Sequence, residues 1–263
     1  MSKNKLGLVF GLSAYGLWGL FPLYWPLLEP AEALEIVSHR AVWTLVFCVI
    51  ILAITKALKS TVTTLKRPQV ALKLFAASFL ISVNWLVYIW ATNNGHVVEA
   101  SLGVLVLTID YGRLPWVALA LAISWGSYGL IKKQLGLGAL EGLAIETGIS
   151  FIPYAAYLIY LGNQGTGQFG HSPGLTFLLI SAGAITAIPL LLFNGSTTRL
   201  PLSTIGLLEY ITPTLQFSIG VWVLHEDMPA ARWAGFLIIW VALITLGTDL
   251  VRSSRAVDNG VTQ

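Results

Sequence analysis

Four ionisable side chains stand inside or at the edge of long apolar runs, where a charge is costly and so marks a substrate, ion or proton site. Glu209 follows an apolar stretch, next to Tyr210 and four residues before Pro213. A proline inside such a run frees backbone carbonyls and marks a broken or cavity-lining segment. A carboxyl group there can bind a substrate amine or carry a coupling proton; the alternative is a structural pair with a neighbouring helix. His39 and Arg40 open a second run. Arg40 can grip a carboxylate or another anion, or else snorkel to the headgroups or pair with Glu35 or Glu32. Glu146 is open between a coupling role and a structural pair with Lys132 or Lys133.

Aromatic residues supply a second kind of chemistry. Tyr15-Gly16-Leu17-Trp18-Gly19-Leu20 recurs as Trp125-Gly126-Ser127-Tyr128-Gly129-Leu130. Symmetric aromatics at Tyr15, Trp18, Trp125 and Tyr128 can stack on a flat or cationic substrate, or serve as packing and interfacial belt. Gly16, Gly19, Gly126 and Gly129 are expected to let helices approach closely. Asn84 and Tyr88 lie one helical turn apart, with Trp85 and Trp90 beside them. Asn84 is either an interhelical hydrogen bond or a pocket group. Tyr15, Trp18, Asn84, Tyr88, Trp125, Tyr128 and Tyr210 form the candidate substrate cavity.

The elements that must position them are membrane helices. Of the 263 residues, 56% are hydrophobic and 10% charged, with mean hydropathy +0.77. Ordinary soluble domains carry about a quarter charged residues. An all-α polytopic bundle is the expected fold class. Eight stretches are long enough to span: 6–27, 36–54, 70–92, 114–131, 140–161, 175–193, 202–224 and 233–251. Each needs about 20 residues. The first reads as an uncleaved helix, because Trp18, Tyr24 and Trp25 stand where a leader would be cut. Residues 102–109 would rise only about 12 Å as a helix, too short to cross.

Charge sets the orientation. With both termini cytoplasmic, the inner side holds twelve basic residues, among them Lys3, Lys5, Lys66, Arg67, Lys132, Lys133, Arg199 and Arg252. The outer side holds Arg113 and Arg232. A crossing by residues 102–109 would invert this bias. The segment 162–170, rich in Gly, Asn and Gln, is expected to be a flexible outer connector. The pI near 9.0 therefore reports topology, and no nucleic-acid partner is implied.

Catalytic and cofactor signals are missing. His39, His96, His171 and His225 do not pair at helical spacing, so neither zinc nor another metal is implied. Cys48 is the one cysteine, which excludes an internal disulfide. There is no nucleophile elbow and no phosphate loop. No enzyme activity, no ATP-driven transport by this chain alone and no cofactor are expected.

The repeat divides the chain into a first unit at 1–110, a second at 111–252 and a polar cytoplasmic tail at 253–263. Ser101-Leu102-Gly103 matches Thr204-Ile205-Gly206, and residues 104–110 resemble 243–249. In the second copy 207–242 lie between these matches; in the first, nothing does. About one helical hairpin is missing after Gly103. Three spans then mirror five, and odd counts invert one half relative to the other.

The chain resembles the drug/metabolite transporter superfamily, in its EamA branch and within that the RarD type. The resemblance rests on residues 11–19, on Glu35-Ile36-Val37-Ser38-His39-Arg40 and on Asn84-Trp85 with Tyr88-Ile89-Trp90-Ala91. Residues 124–129, Leu208-Glu209-Tyr210-Ile211-Thr212-Pro213-Thr214 and Leu224-His225-Glu226 complete it. It implies a ten-helix inner-membrane permease of two inverted five-helix repeats, whose fourth helix lines the cavity. The expected function is secondary transport of a small organic metabolite or drug-like molecule, with lipid as surroundings. The missing hairpin suggests the alternative of a transport-inactive subunit or remnant. Apolar faces left by the gap would suit a homodimer.

Overall fold

The computed structural model describes residues 3–101 and 116–227, and beyond them Trp233, Leu237, Trp240, Val241, Thr245 and Thr248. Residues 102–109, Gly103, Asp110, Arg113, most of the eighth span and the tail lie outside the described residues. The described residues are helical, with no strand among them.

The helices are α1 Lys3–Gly19, α2 Phe21–Tyr24, α3 Ala33–Ile54, α4 Leu58–Thr64, α5 Pro68–Asn93 and α6 Val97–Ser101. They continue as α7 Trp116–Leu135, α8 Ala139–Gln164, α9 Pro173–Thr197, α10 Leu202–Glu209 and α11 Ile211–Trp222. A single 3-10 turn, Trp25–Leu28, extends α2. Prolines open α5 and α9, where the missing N–H costs nothing and the fixed φ suits a first turn.

Helices α3, α5, α8 and α9 are long and apolar enough to cross a membrane. At 1.5 Å per residue, their 22 to 26 residues rise about 33–39 Å. The first span is not one straight helix. Lys3–Gly19 and Phe21–Leu28 meet at 44°, because Pro22 and Pro26 each withhold an N–H and restart the helix. The seventh span is also divided: α10 ends at Glu209 and α11 begins at Ile211, with Pro213 in the first turn of the second piece.

Helix α3 is central, and its largest interfaces are with α8 and α9. Its buried face is polar, with Glu35, Ser38, His39, Arg40 and Thr44 inside. The surface is apolar instead: Leu72, Phe79, Ile152 and Phe177 are exposed. Apolar outside and polar inside is the arrangement for a hydrocarbon surrounding. Buried hydroxyls donate back one turn, Ser38 to Leu34, Thr147 to Leu143 and Thr186 to Ala182, which satisfies these donors within their own helices.

Close approach between helices uses other glycines than the repeat suggested. A Cβ on Gly183 would stand 2.3 Å from the Trp43 backbone carbon, which places α9 directly against α3. Among the repeat glycines, Gly19 does pack closely, against Leu215, but Gly16, Gly126 and Gly129 have nothing within 4 Å of that position. Among the described residues, the aromatic-Gly spacing therefore marks open space at three positions and helix contact at one.

The connector after α8 is tied down rather than loose. Gly165 ends the helix with φ 67°, in the left-handed region open to glycine. The backbone N–H of Gln168 then donates to Glu35 Oε1 at 2.7 Å. Phe169 stacks on His39 at 4.8 Å between ring centroids.

Candidate functional site

A cavity of about 400 Å³ opens between α1, α3, α5, α7, α9, α10 and α11. Tyr15, Trp18, Arg40, Asn84, Tyr88, Trp125, Tyr128 and Glu209 line it, together with Trp85, Thr186, Thr212 and Gln216. Tyr210, His39 and Glu146 do not. The volume suits a small organic ligand.

The repeated aromatics face one space from two sides. Tyr15 and Trp18 on α1 meet edge to face, 5.5 Å between ring centroids. Trp125 and Tyr128 on α7 lie 5.7 Å apart and tilted. Three residues span about 300° of helix, so each pair shares a face. Helix α11 is fixed to α1 by its own polar groups. Thr212 donates to the Tyr15 carbonyl at 2.9 Å, and Gln216 to that of Trp18 at 3.1 Å. Pro22 has no N–H to offer the Trp18 carbonyl, so that carbonyl lacks its helical partner.

Asn84 settles both of its readings at once. It donates to Ser124 Oγ at 3.0 Å and to the Leu121 carbonyl at 3.3 Å on α7, and it also lines the cavity. Tyr88 is one turn further along α5, and its buried hydroxyl has no hydrogen-bond partner among the described residues.

Arg40 neither snorkels nor pairs with Glu32 or Glu35. It is 4% exposed, and its Nε donates to Thr186 Oγ1 at 2.7 Å. Its guanidinium carbon lies 4.0 Å from the ring centroid of Trp85, 4.9 Å from Trp25 and 5.7 Å from Phe21. Aromatic faces hold the charge where a carboxylate is lacking.

Glu146 is arranged the opposite way. Fully buried, it accepts from Lys132 Nζ at 2.8 Å and from Tyr128 Oη at 3.0 Å. It therefore sits behind the cavity wall, coupled to it through Tyr128. His39 lies on the connector side, its Nε2 4.0 Å from Glu35 Oε1. Glu209 faces the cavity from the end of α10. Tyr210, one residue on, is rotated about 100° around the axis and points elsewhere.

Thr186 and Gln216 carry no signal in the sequence, and Trp85 reads there only as a neighbour of Asn84 and Tyr88. A threonine in an apolar helix usually satisfies itself by bonding back one turn, which Thr186 also does, so nothing distinguishes it before the helices are assembled. A second cavity, about 600 Å³, lies by residues 29–34, Trp90 and Asn93; none of the candidate site residues line it. Among the described residues no group of His, Cys, Asp and Glu is placed to hold a metal ion.

Known proteins resemble this chain over nearly its whole length. It is 43% identical to "Protein RarD" of Streptomyces exfoliatus, over 97% of this chain and 92% of that protein. It is 38% identical to "Uncharacterized transporter YojE" of Bacillus subtilis, over 97% and 98%. It is 35% identical to "Protein RarD" of Escherichia coli, over 96% and 97%. No protein-family model and no solved structure matches the chain.

Proposed function

The chain belongs to the RarD-type transporters of the EamA branch of the drug/metabolite transporter superfamily, and on that premise we propose that it is a secondary active permease for a small organic molecule in the bacterial inner membrane. The observation that carries this reading is the cavity itself. It is walled by the same aromatic motif from two helices and holds one buried cation, Arg40, among the described residues. Substrate binds there, and one half rocks against the other to expose it alternately to each side. Both termini face the cytoplasm. Glu209, on the broken seventh span, is the group we assign to proton coupling. No step in this scheme is catalytic.

The helix contacts support two related halves. Helix α1 packs mainly on α9, and α7 mainly on α5, while α3 and α8 pack on each other. If spans one to three correspond to spans four to six, these contacts exchange under a two-fold operation. Both halves then contribute their third span to the other half's first.

An untargeted exchange assay tests the reading. Proteoliposomes are loaded with an unlabelled bacterial metabolite extract and placed in the same extract labelled with carbon-13. Mass spectrometry then reads which labelled compounds enter. Saturable entry of at least one compound, beyond that into empty liposomes, is expected. No protein-dependent entry would remove the transporter reading.

One observation favours a second reading, that of a transport-inactive subunit. The match to the Streptomyces exfoliatus protein runs over 290 positions, yet 97% of this 263-residue chain is about 255 residues. About 35 positions of that alignment therefore have no counterpart here, close to the length of a hairpin of two spans at about 20 residues each. A version with a hairpin restored after Gly103 separates the readings. Exchange by the restored version alone would favour the inactive one.

A further inference from the structure

We propose that the cavity selects an organic anion, a carboxylate carried on a flat apolar body, and that Arg40 is the group that receives it. The inference rests on the transporter reading and names the substrate class of the same site.

Two buried charges flank the cavity, and only one is neutralised. Ala33-Leu34-Glu35 opens α3, and Ala139-Leu140-Glu141 opens α8. Counting from these matches, Arg40 and Glu146 occupy the same place in the two helices. Glu146 has its counter-charge in Lys132 and a further donor in Tyr128. Arg40 has neither. Among the described residues no carboxylate lies within ion-pair distance of it, and its one hydrogen bond uses Nε. The terminal N–H groups of its fork are left over, in a residue that lines the cavity. That planar fork matches the two oxygens of a carboxylate. Aromatic faces lower the cost of holding a cation away from water, but they offer no acceptor oxygen. An anionic ligand supplies what the protein withholds.

The remaining walls describe the rest of the ligand. Trp18, Trp125, Ile81 and Leu190 line the cavity and offer flat, apolar contact. Tyr88 adds a buried hydroxyl with no partner among the described residues, a donor for a second ligand oxygen. Glu209 is the rival anchor and would favour an amine. It is exposed, whereas Arg40 is 4% exposed. The more buried charge keeps less contact with solvent in an empty site, so the larger gain on binding falls to the ligand of Arg40.

The test is titration calorimetry on the full chain in lipid nanodiscs, with phenylacetate, phenethylamine and 2-phenylethanol. These share the ring and differ in charge. Phenylacetate is expected to bind saturably and about tenfold or more tighter than the other two, the scale of a hydrogen bond to a charged group. Arg40→Gln should remove that preference, and Arg40→Lys should retain part of it. Equal or tighter binding of the amine or the alcohol overturns the inference. So does binding of none of the three, or an Arg40→Gln protein with unchanged affinity for phenylacetate. If the Gln variant does not fold, the selectivity of the unaltered chain decides alone. Anion-selective binding without any exchange in proteoliposomes would remove the transporter reading and leave the inference standing. Exchange confined to neutral or cationic compounds would do the reverse.

Discussion

Lys132 donates to Glu146 across 2.8 Å, from the end of α7 to a carboxylate on α8 that is 0% exposed. The pair joins consecutive helices of the second half directly behind the cavity wall, and Tyr128 ties it to the wall. Removing the lysine strands a buried anion. Lys132→Met is expected to destabilise the protein by about 3–5 kcal/mol. Glu146→Gln should cost less, because Lys132 can turn to the surface. The double variant should be more stable than Lys132→Met alone. Thermal unfolding in detergent reads the order, and simple additivity of the two single changes would refute the pairing argument.

Gly183 gives a prediction about packing. Its side-chain position is filled by the backbone of Trp43 and Thr44, so Gly183→Ala must push α9 away from α3. A cost of about 1–3 kcal/mol or more is expected, as for an overpacked core. Gly126→Ala, with nothing within 4 Å, should stay within about 0.5 kcal/mol of the unaltered chain. Equal unfolding midpoints for the two variants would contradict the contact.

The connector 165–172 should depend on Glu35. Its carboxylate accepts the Gln168 N–H, and that group is a strong acceptor only while ionised. Glu35→Ala is expected to raise amide exchange at Gln168 at least several-fold while leaving the middle of α8 protected. Hydrogen exchange read by mass spectrometry would show this, and an unchanged connector would mean the Phe169–His39 stack suffices.

Orientation can be checked with little background, since Cys48 is buried. A membrane-impermeant maleimide should label Lys66→Cys only from the cytoplasmic side and Gln164→Cys only from outside; both positions are exposed. The expectation comes from the segregation of Lys and Arg. Labelling of both from one side would break it.

Much of this was legible before the helices were assembled. Runs of about 20 apolar residues located α3, α5, α8 and α9 to within a few residues. Pro213 announced the break beside Glu209, and the repeated aromatics came together at one cavity. What was not legible depends on contacts between residues far apart in the chain. Gly183 looks like any glycine in an apolar run until Trp43 is laid against it. Arg40 is open between gripping an anion, snorkelling and pairing with Glu32 or Glu35 until Phe21, Trp25 and Trp85 close over it from two other segments. Gly16, Gly126 and Gly129 fit a packing motif, yet among the described residues nothing lies within 4 Å of a side chain placed there. Tyr210 sits next to a cavity residue, and adjacent residues on a helix do not share a face.

Glu209 faces the cavity from the end of α10, just before the helix is interrupted, and it has no ion pair among the described residues. A carboxylate so placed can be protonated from one side and released to the other without breaking a structural bridge, unlike Glu146, whose loss of charge would leave Lys132 unpaired. A glutamine keeps the shape but binds no proton. Glu209→Gln should therefore abolish accumulation driven by a pH gradient while preserving exchange of substrate between equal pools, because exchange needs only the loaded transporter to reorient. Both are measured in the same proteoliposomes. Gradient-driven uptake at the unaltered rate would take the coupling role away from Glu209, and loss of exchange as well would make it a binding group instead.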